Sequence, residues 1–219
     1  MQKIEAVIFD LDGTLLYTLE DLTDSCNQAM KFYGFPEHTL DEVRMYVGNG
    51  LPVLAELAIP DGTKNPLYKD VLLKIRECYA KNWKNKTKPY DGIIDMLKKL
   101  NQNKIKCGIV SNKPDAQVKE LSDLFFKGCI SSCAGEKEGI RRKPYPDSVN
   151  KVIGEFGIPK ENTIYVGDSD VDIATAKNVG VKCVSCSWGF RSSDFLKAHG
   201  AGVIIEKPEQ LGAIVNCQW

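Results

Sequence analysis

Asp10 and Asp12 stand one residue apart in Val7-Ile8-Phe9-Asp10-Leu11-Asp12-Gly13-Thr14-Leu15, directly behind a short apolar run. Two carboxylates this close repel unless a cation or a shared proton relieves them. Magnesium suits such a pair, because it takes one or two carboxylates and completes its shell with water and substrate phosphate. Asp-x-Asp-Gly alone also reads as an ordinary surface turn, so the remaining chain must decide. Ser111-Asn112, Lys143, and Asp168 with Asp172 supply the complementary groups. Asp10 and Asp168 would hold Mg²⁺ together with a backbone carbonyl at Asp12. Ser111 offers a hydroxyl, and the N–H groups beyond it lie at an expected helix start, a natural phosphate contact. Lys143 adds a fixed positive charge. Such a set stabilises phosphoryl transfer by electrostatics and positioning. Asp10 is then the in-line nucleophile that forms an aspartyl-phosphate. Asp12 protonates the leaving oxygen and later activates water.

Each group has an ordinary alternative. Ser111-Asn112 could cap the next helix and Asp168 could be a plain N-cap. Lys143 could be a solvated lysine beside Arg141 and Arg142, and Asp170 a first-turn acid matched to the helix dipole. These alternatives leave the joint order unexplained: each acid or hydroxyl follows a strand and precedes a helix.

The elements that must position these groups are legible from periodicity. The run before Asp10 is β-branched and aromatic and reads as a buried strand. Residues 18–87 carry no strand signal. Leu19, Leu22, Cys26, Ala29 and Tyr33 recur at helical spacing, with Gly34 as a stop. Thr39-Leu40-Asp41-Glu42 has the form of a capping box opening a helix to about Val47. Gly48-Asn49-Gly50 breaks it, helix resumes over Leu51 to Leu57, and a long helix runs from near Pro66 to about Trp83. Lys84 to Lys88 reads as a hinge. From Asp91 strands and helices alternate. Asp91 is expected to cap a helix carrying Ile94, Leu97 and Leu100. Ile105 to Val110 is expected as a strand ending at Ser111, with Pro114 at the first helical position. A weaker strand is expected over Gly128 to Ser132, a helix over Pro146 to Phe156, and a strand over Thr163 to Val166. A helix follows carrying Ile173, Ala176 and Val179, with final strands over Val181 to Ser185 and Val203 to Ile205. This alternation implies a parallel sheet covered by helices on both faces. In open sheets of this kind ligands bind at the carboxyl ends of the strands. The expected class is therefore α/β, a three-layer Rossmann-like parallel sheet core with an inserted all-helical cap. Residues 1–17 and 88–219 form the core, and 18–87 the cap.

Composition narrows the function. Lys+Arg and Asp+Glu balance at 29 each, which argues against a nucleic-acid or anionic-membrane binder. No apolar run approaches a membrane span, and Met1-Gln2-Lys3-Ile4-Glu5 lacks a signal-peptide apolar region; a cytoplasmic protein is expected. Eight cysteines invite a zinc or disulfide reading. Cys183 and Cys186, however, lie three apart on an expected strand and face opposite sides, so they cannot share one ion; buried thiols are expected. Gly48-Asn49-Gly50 lacks the third glycine of a dinucleotide fingerprint and follows no strand.

The four ordered motifs resemble the haloacid dehalogenase superfamily of phosphohydrolases, in the branch with a helical cap inserted after the first motif, and within it the phosphoglycolate phosphatases. The matching stretches are Asp10 to Leu15, Ser111-Asn112-Lys113, Lys143-Pro144-Tyr145-Pro146-Asp147, and Gly167-Asp168-Ser169-Asp170-Val171-Asp172. Val47-Gly48-Asn49-Gly50 is similar to the cap's substrate loop, and Ser187-Trp188-Gly189-Phe190 to a late segment of the branch. The resemblance implies a Mg²⁺-dependent phosphatase for a small phosphorylated metabolite, monomeric or homodimeric. Asp10, Asp12, Ser111 and Lys143 would be catalytic, and Asp10, Asp12 (by its carbonyl) and Asp168 would bind metal. Ser111, Asn112, Lys143 and Asn49 would bind substrate, with Asp172 orienting Lys143 or metal-bound water. The acid at Asp12 argues against dehalogenation. Tyr17-Thr18 stands where relatives commonly carry Asp then Ser or Thr, a departure that bears on substrate. The alternatives are a β-phosphoglucomutase-like phosphotransferase, disfavoured by Gly167 before Asp168, and a receiver-like phospho-acceptor module, which lacks a helical insert of this length.

Overall fold

The computed structural model describes residues 3–215; Met1-Gln2, Cys217 and the rest of the expected core beyond 215 lie outside the described residues. The chain divides into two compact units, Met1–Leu16 with Pro89–Trp219, and Tyr17–Lys88. It passes between them through two-residue strands, β2 (Leu16–Tyr17) and β3 (Lys88–Pro89).

The first unit is built on six strands. β1 (Ala6–Phe9), β4 (Lys106–Pro114), β5 (Ser132–Glu136), β6 (Thr163–Gly167), β7 (Lys182–Cys186) and β8 (Ile204–Ile205) lie in the order β5-β4-β1-β6-β7-β8. Every pairing is parallel. β1 is fully buried; it pairs Ile8 with Gly108 on one side and with Tyr165 on the other. The chain runs outward from β1 through β4 to β5, then returns to continue from β6 on the opposite side. β1 therefore sits at the switch point, where parallel sheets open a crevice at their carboxyl edge.

The connecting helices are α5 (Ile93–Gln102), α6 (Asp115–Phe126), α7 (Asp147–Phe156) and α8 (Asp170–Val179). α7 and α8 pack on one face of the sheet, and the right-handed rule for parallel crossovers assigns α5 and α6 to the other. On the α7 and α8 face Ala6, Ile8, Val110 and Tyr165 pack with Val149, Val152, Phe156, Ala176 and Val179. Each large apolar side chain buried this way contributes about 1.5–3 kcal/mol.

The second unit is helical among its described residues: α1 (Leu19–Tyr33), α2 (Leu40–Tyr46), α3 (Leu51–Ala58), a single turn at Gly62–Lys64, and α4 (Tyr68–Asn82). α1 buries Leu22, Cys26 and Met30, and α4 buries Val71, Ile75 and Tyr79. Thr39 and Glu42 make the expected capping box. The buried Asp21 carboxylate accepts from the Lys86 and Thr87 amides and from the Thr87 hydroxyl at 2.9–3.0 Å, tying the end of this unit back to α1. No described helix is long and apolar enough to cross a membrane.

Four expected details change. β4 does not stop at Val110 but continues through Pro114, so Ser111 is a strand residue and caps nothing. Pro114 precedes the helix, which begins at Asp115. Gly92, at φ 82°, takes the cap position expected for Asp91, because a left-handed backbone suits glycine. The strand expected at Gly128 to Ser132 lies instead at Ser132–Glu136; a turn from Phe126 to Cys129 occupies the earlier residues. Cys183 is half-buried and Cys186 buried, both free thiols.

Candidate active site

β1 ends at Phe9 and β6 at Gly167, so Asp10 and Asp168 leave adjacent strands at the same sheet edge. Their carboxylates and that of Asp172 come within 4.8 Å of one another, and all three are buried. Asp168 is free for this role because Ser169, not Asp168, is the N-cap of α8. Ser169 Oγ donates to Asp172 Oδ2 at 2.6 Å, and the Asp172 amide donates back to Ser169 Oγ at 3.4 Å. The capping box thus turns Asp172 toward the strand ends while finishing the helix.

Lys143, on the loop between β5 and α7, reaches into this cluster. Its Nζ lies 2.8 Å from both Asp10 Oδ1 and Asp172 Oδ1 and donates to the Tyr165 hydroxyl at 3.1 Å. The Tyr165 hydroxyl in turn donates to Asp172 Oδ1 at 3.1 Å. The loop is held by Asn112: the Lys143 amide donates to Asn112 Oδ1 at 2.8 Å, and Asn112 Nδ2 donates to the Lys143 carbonyl at 3.2 Å. Asn112, expected as a substrate contact, has its amide turned to the Lys143 backbone. The Ser111 hydroxyl accepts from the Lys113 amide at 3.2 Å.

Asp168 is fixed from two sides. Thr14 Oγ1 donates to its Oδ1 at 3.0 Å, and the Phe190 amide to its Oδ2 at 2.7 Å. Thr14 is steadied by the Trp188 indole, which donates to its carbonyl at 2.9 Å. The packing leaves no room for side chains at two glycines: a Cβ on Gly13 would stand 2.4 Å from Asp168 Oδ2, and one on Gly189 2.3 Å from the Gly13 carbonyl.

The electrostatics follow from burial. Desolvation raises Asp10 well above the ordinary carboxylate range, with Asp172 and Asp168 adding to it and Lys143 opposing. Desolvation carries Asp168 up to about 7, helped by Asp172 and opposed by the Phe190 amide and Thr14. Burial works to discharge Lys143, but Asp10 and Asp172 override it and hold its pKa well above normal. Three carboxylates against one ammonium leave excess negative charge in a desolvated space. Among the described residues Asp10 Oδ1 has no aligned hydrogen-bond donor despite the nearby lysine. A hard divalent cation with oxygen ligands matches that donor set and that charge.

Sequence reasoning brought Asp10, Asp168, Asp172 and Lys143 to one edge. It missed Thr14, Tyr165 and Lys113. Lys113 Nζ lies 2.8 Å from Asp12 Oδ1, with its side chain only 2% exposed. Its adjacency to Ser111-Asn112 was the one available signal; expecting the strand to end at Val110 hid it. Asn49 belongs to the second unit, in the break between α2 and α3.

The sequence pattern of the haloacid dehalogenase-like hydrolases matches residues 7–186, and the chain belongs to that family. It is 31% identical to phosphoglycolate phosphatase 1 of Pseudomonas aeruginosa over 212 residues, covering 92% of this chain and 74% of that one. It is 31% identical to the phosphoglycolate phosphatase of Aquifex aeolicus over 188 residues, covering 85% and 86%. A Lactobacillus delbrueckii subsp. bulgaricus crystal structure, determined as a candidate phosphoglycolate phosphatase, superposes with a TM-score of 0.93 at 35% identity, covering 97% and 98%. With this family, fold and kinship the chain is a phosphatase, a phosphoric monoester hydrolase. The receiver-like reading is set aside.

Proposed function

We propose that the chain hydrolyses a small phosphate monoester of the phosphoglycolate type through an aspartyl-phosphate on Asp10. One observation carries this reading: the buried carboxylates of Asp10 and Asp168, far apart in sequence, come within 4.8 Å of each other. We assign Mg²⁺ to Asp10, Asp168 and the Asp12 backbone carbonyl, where it would screen the approaching phosphate's charge and allow Asp10 to ionise. Asp10, freed of its proton, attacks phosphorus in line. As the ester P–O bond breaks, Asp12 gives its proton to the departing oxygen, and the alcohol leaves. Asp12, now a carboxylate, takes a proton from water. That water's oxygen bonds to phosphorus, the Asp10–phosphorus link breaks, and phosphate departs with Asp10 restored.

Ser111 and Lys143 bind the phosphoryl oxygens in this scheme. Asn112 acts through Lys143 by holding its backbone, and Asp172 keeps the ammonium charged and aimed. Asn49 is proposed as a contact to the rest of the substrate on the resemblance of Val47 to Gly50 alone, with Tyr17–Lys88 serving as a cap. A phosphatase of this kind is expected in the cytoplasm, as a monomer or homodimer. A phosphate-ester panel with EDTA or Mg²⁺ tests the whole: turnover should need the metal and favour short carboxylated esters. Asp10→Asn should abolish turnover with the fold intact; near wild-type hydrolysis of p-nitrophenyl phosphate by that variant would refute the nucleophile.

A further inference from the structure

The two aspartates of the first loop are each matched by a buried lysine, and only one of these lysines belongs to the scheme above. Lys143 faces Asp10. Lys113, at the far end of β4, faces Asp12, with Nζ 2.8 Å from Oδ1. The lysine side chain is 2% exposed and the aspartate 21%. A surface ion pair would carry little meaning. This one is different, because an ammonium so enclosed must be paired or it would lose its charge. Among the described residues no protein group donates to Asp12 Oδ2. One carboxyl oxygen is therefore held by the lysine, while the Asp12 side chain as a whole keeps 21% of its surface exposed.

We propose that Lys113 is the positioning residue for Asp12: it fixes the carboxyl plane so that Oδ2 is presented to the ester oxygen. The inference rests on the reading of Asp12 as acid and base. Lys113 is assigned to neither phosphate nor metal; its effect on the reaction runs through Asp12. Two features of β4 place it there. The strand continues beyond Val110 in spite of the polar Ser111-Asn112-Lys113 run, with a register shift against β5 between Val110 and Pro114. Gly135 on β5 is the second, since a Cβ there would come within 2.5 Å of the Lys113 carbonyl. The missing side chain at Gly135 lets the Lys113 backbone sit where its ammonium meets Asp12.

The consequence is a dependence on the leaving group. A p-nitrophenolate departs without help, whereas an alkoxide must be protonated as it leaves. For Lys113→Met, kcat/KM, which reports the first chemical step, should fall on the order of 100-fold for an alkyl phosphate such as glycerol phosphate. It should fall less than about 10-fold for p-nitrophenyl phosphate, with Asp12→Asn showing the same pattern more strongly. Lys113→Arg should recover part of the alkyl activity. Asp12→Asn combined with Lys113→Met should be no worse than Asp12→Asn alone, because two residues that act as a unit are not additive. Lys113→Gln serves if the methionine variant does not fold by circular dichroism. Equal losses on both esters in a folded Lys113 variant, or additive losses in the double variant, overturn the positioning role. An Asp12→Asn enzyme that loses both esters equally overturns the acid–base reading itself.

Discussion

Replacing Asp168 by asparagine removes a group that the fold charges against its preference, and the metal-free protein should show this as a pH-dependent gain in stability. Burial, with Asp172, carries the Asp168 carboxyl from 3.8 to about 7, against the Phe190 amide and the Thr14 hydroxyl. A carboxyl whose native pKa lies above its unfolded value holds its proton more tightly when folded. Its contribution to stability is complete below about pH 4 and is lost as pH rises through about 7. The span from 3.8 to about 7 is about three units, which at about 1.36 kcal/mol each amounts to a loss of about 4 kcal/mol. Asparagine stays neutral throughout, but its single oxygen can accept from Thr14 or from the Phe190 amide, not both, a cost of about 1–2 kcal/mol. Asp168→Asn should therefore be more stable than wild type by about 2–3 kcal/mol at pH 8 and less stable near pH 4.5. Urea unfolding followed by circular dichroism, in EDTA at four pH values, measures the difference directly. The difference also cancels carboxylates of the opposite sign, such as Glu42, which Thr39 holds below its ordinary value. Mg²⁺ at about 100 times its dissociation constant should add about 2.7 kcal/mol to wild type at pH 8 and much less to the variant. Parallel stability curves for the two proteins from pH 4.5 to 8 would show that the reasoning about buried charge is wrong.

Gly189→Ala should cost activity and stability together, by several kcal/mol, since its Cβ would meet the Gly13 carbonyl and Asp168; thermal melting and p-nitrophenyl phosphate turnover check both. Asn112→Ala should remove two hydrogen bonds to the Lys143 backbone and lower kcat more than it raises KM, with about 1–3 kcal/mol lost in urea unfolding. Burial pushes Cys26 and Cys183 up to about 12, so neither should react with iodoacetamide at pH 8 in the folded protein, and both should react in urea; peptide mapping reads the outcome. Asp21→Asn should loosen the Lys86-Thr87 backbone that its carboxylate holds, seen as faster amide exchange there with β1 unchanged.

The parts legible from sequence were those fixed by local chemistry. Apolar spacing located α1 and α4, the Thr39–Glu42 box located α2, and the runs into Asp10 and Asp168 located β1 and β6. The parts that were not legible depend on neighbours distant in sequence. Ser132 to Glu136 is small and polar, with a glycine where a strand-breaker would be read. It is a strand because β4 offers it an edge and because the Lys113 backbone fills the space over Gly135. β4 runs through Ser111-Asn112-Lys113 because Asn112 finds the Lys143 backbone and Lys113 finds Asp12, partners that no local window contains. Thr14 was read as a motif letter, yet its hydroxyl holds Asp168 across most of the chain. Ser169 and Asp168 were exchangeable as caps on propensity alone; the hydrogen bonds of Ser169 decide.

The residues that converge on the crevice are drawn from the opening strand, from the middle of the chain and from its last third. No contiguous fragment carries them all. A chain emerging from the ribosome can finish its helical second unit, and even pair β1 with β4, while remaining chemically silent until β6 has docked beside β1. Activity is in that sense a report on completion: a truncation short of Asp168 should lack one of the carboxylates of the buried acidic cluster and be inactive.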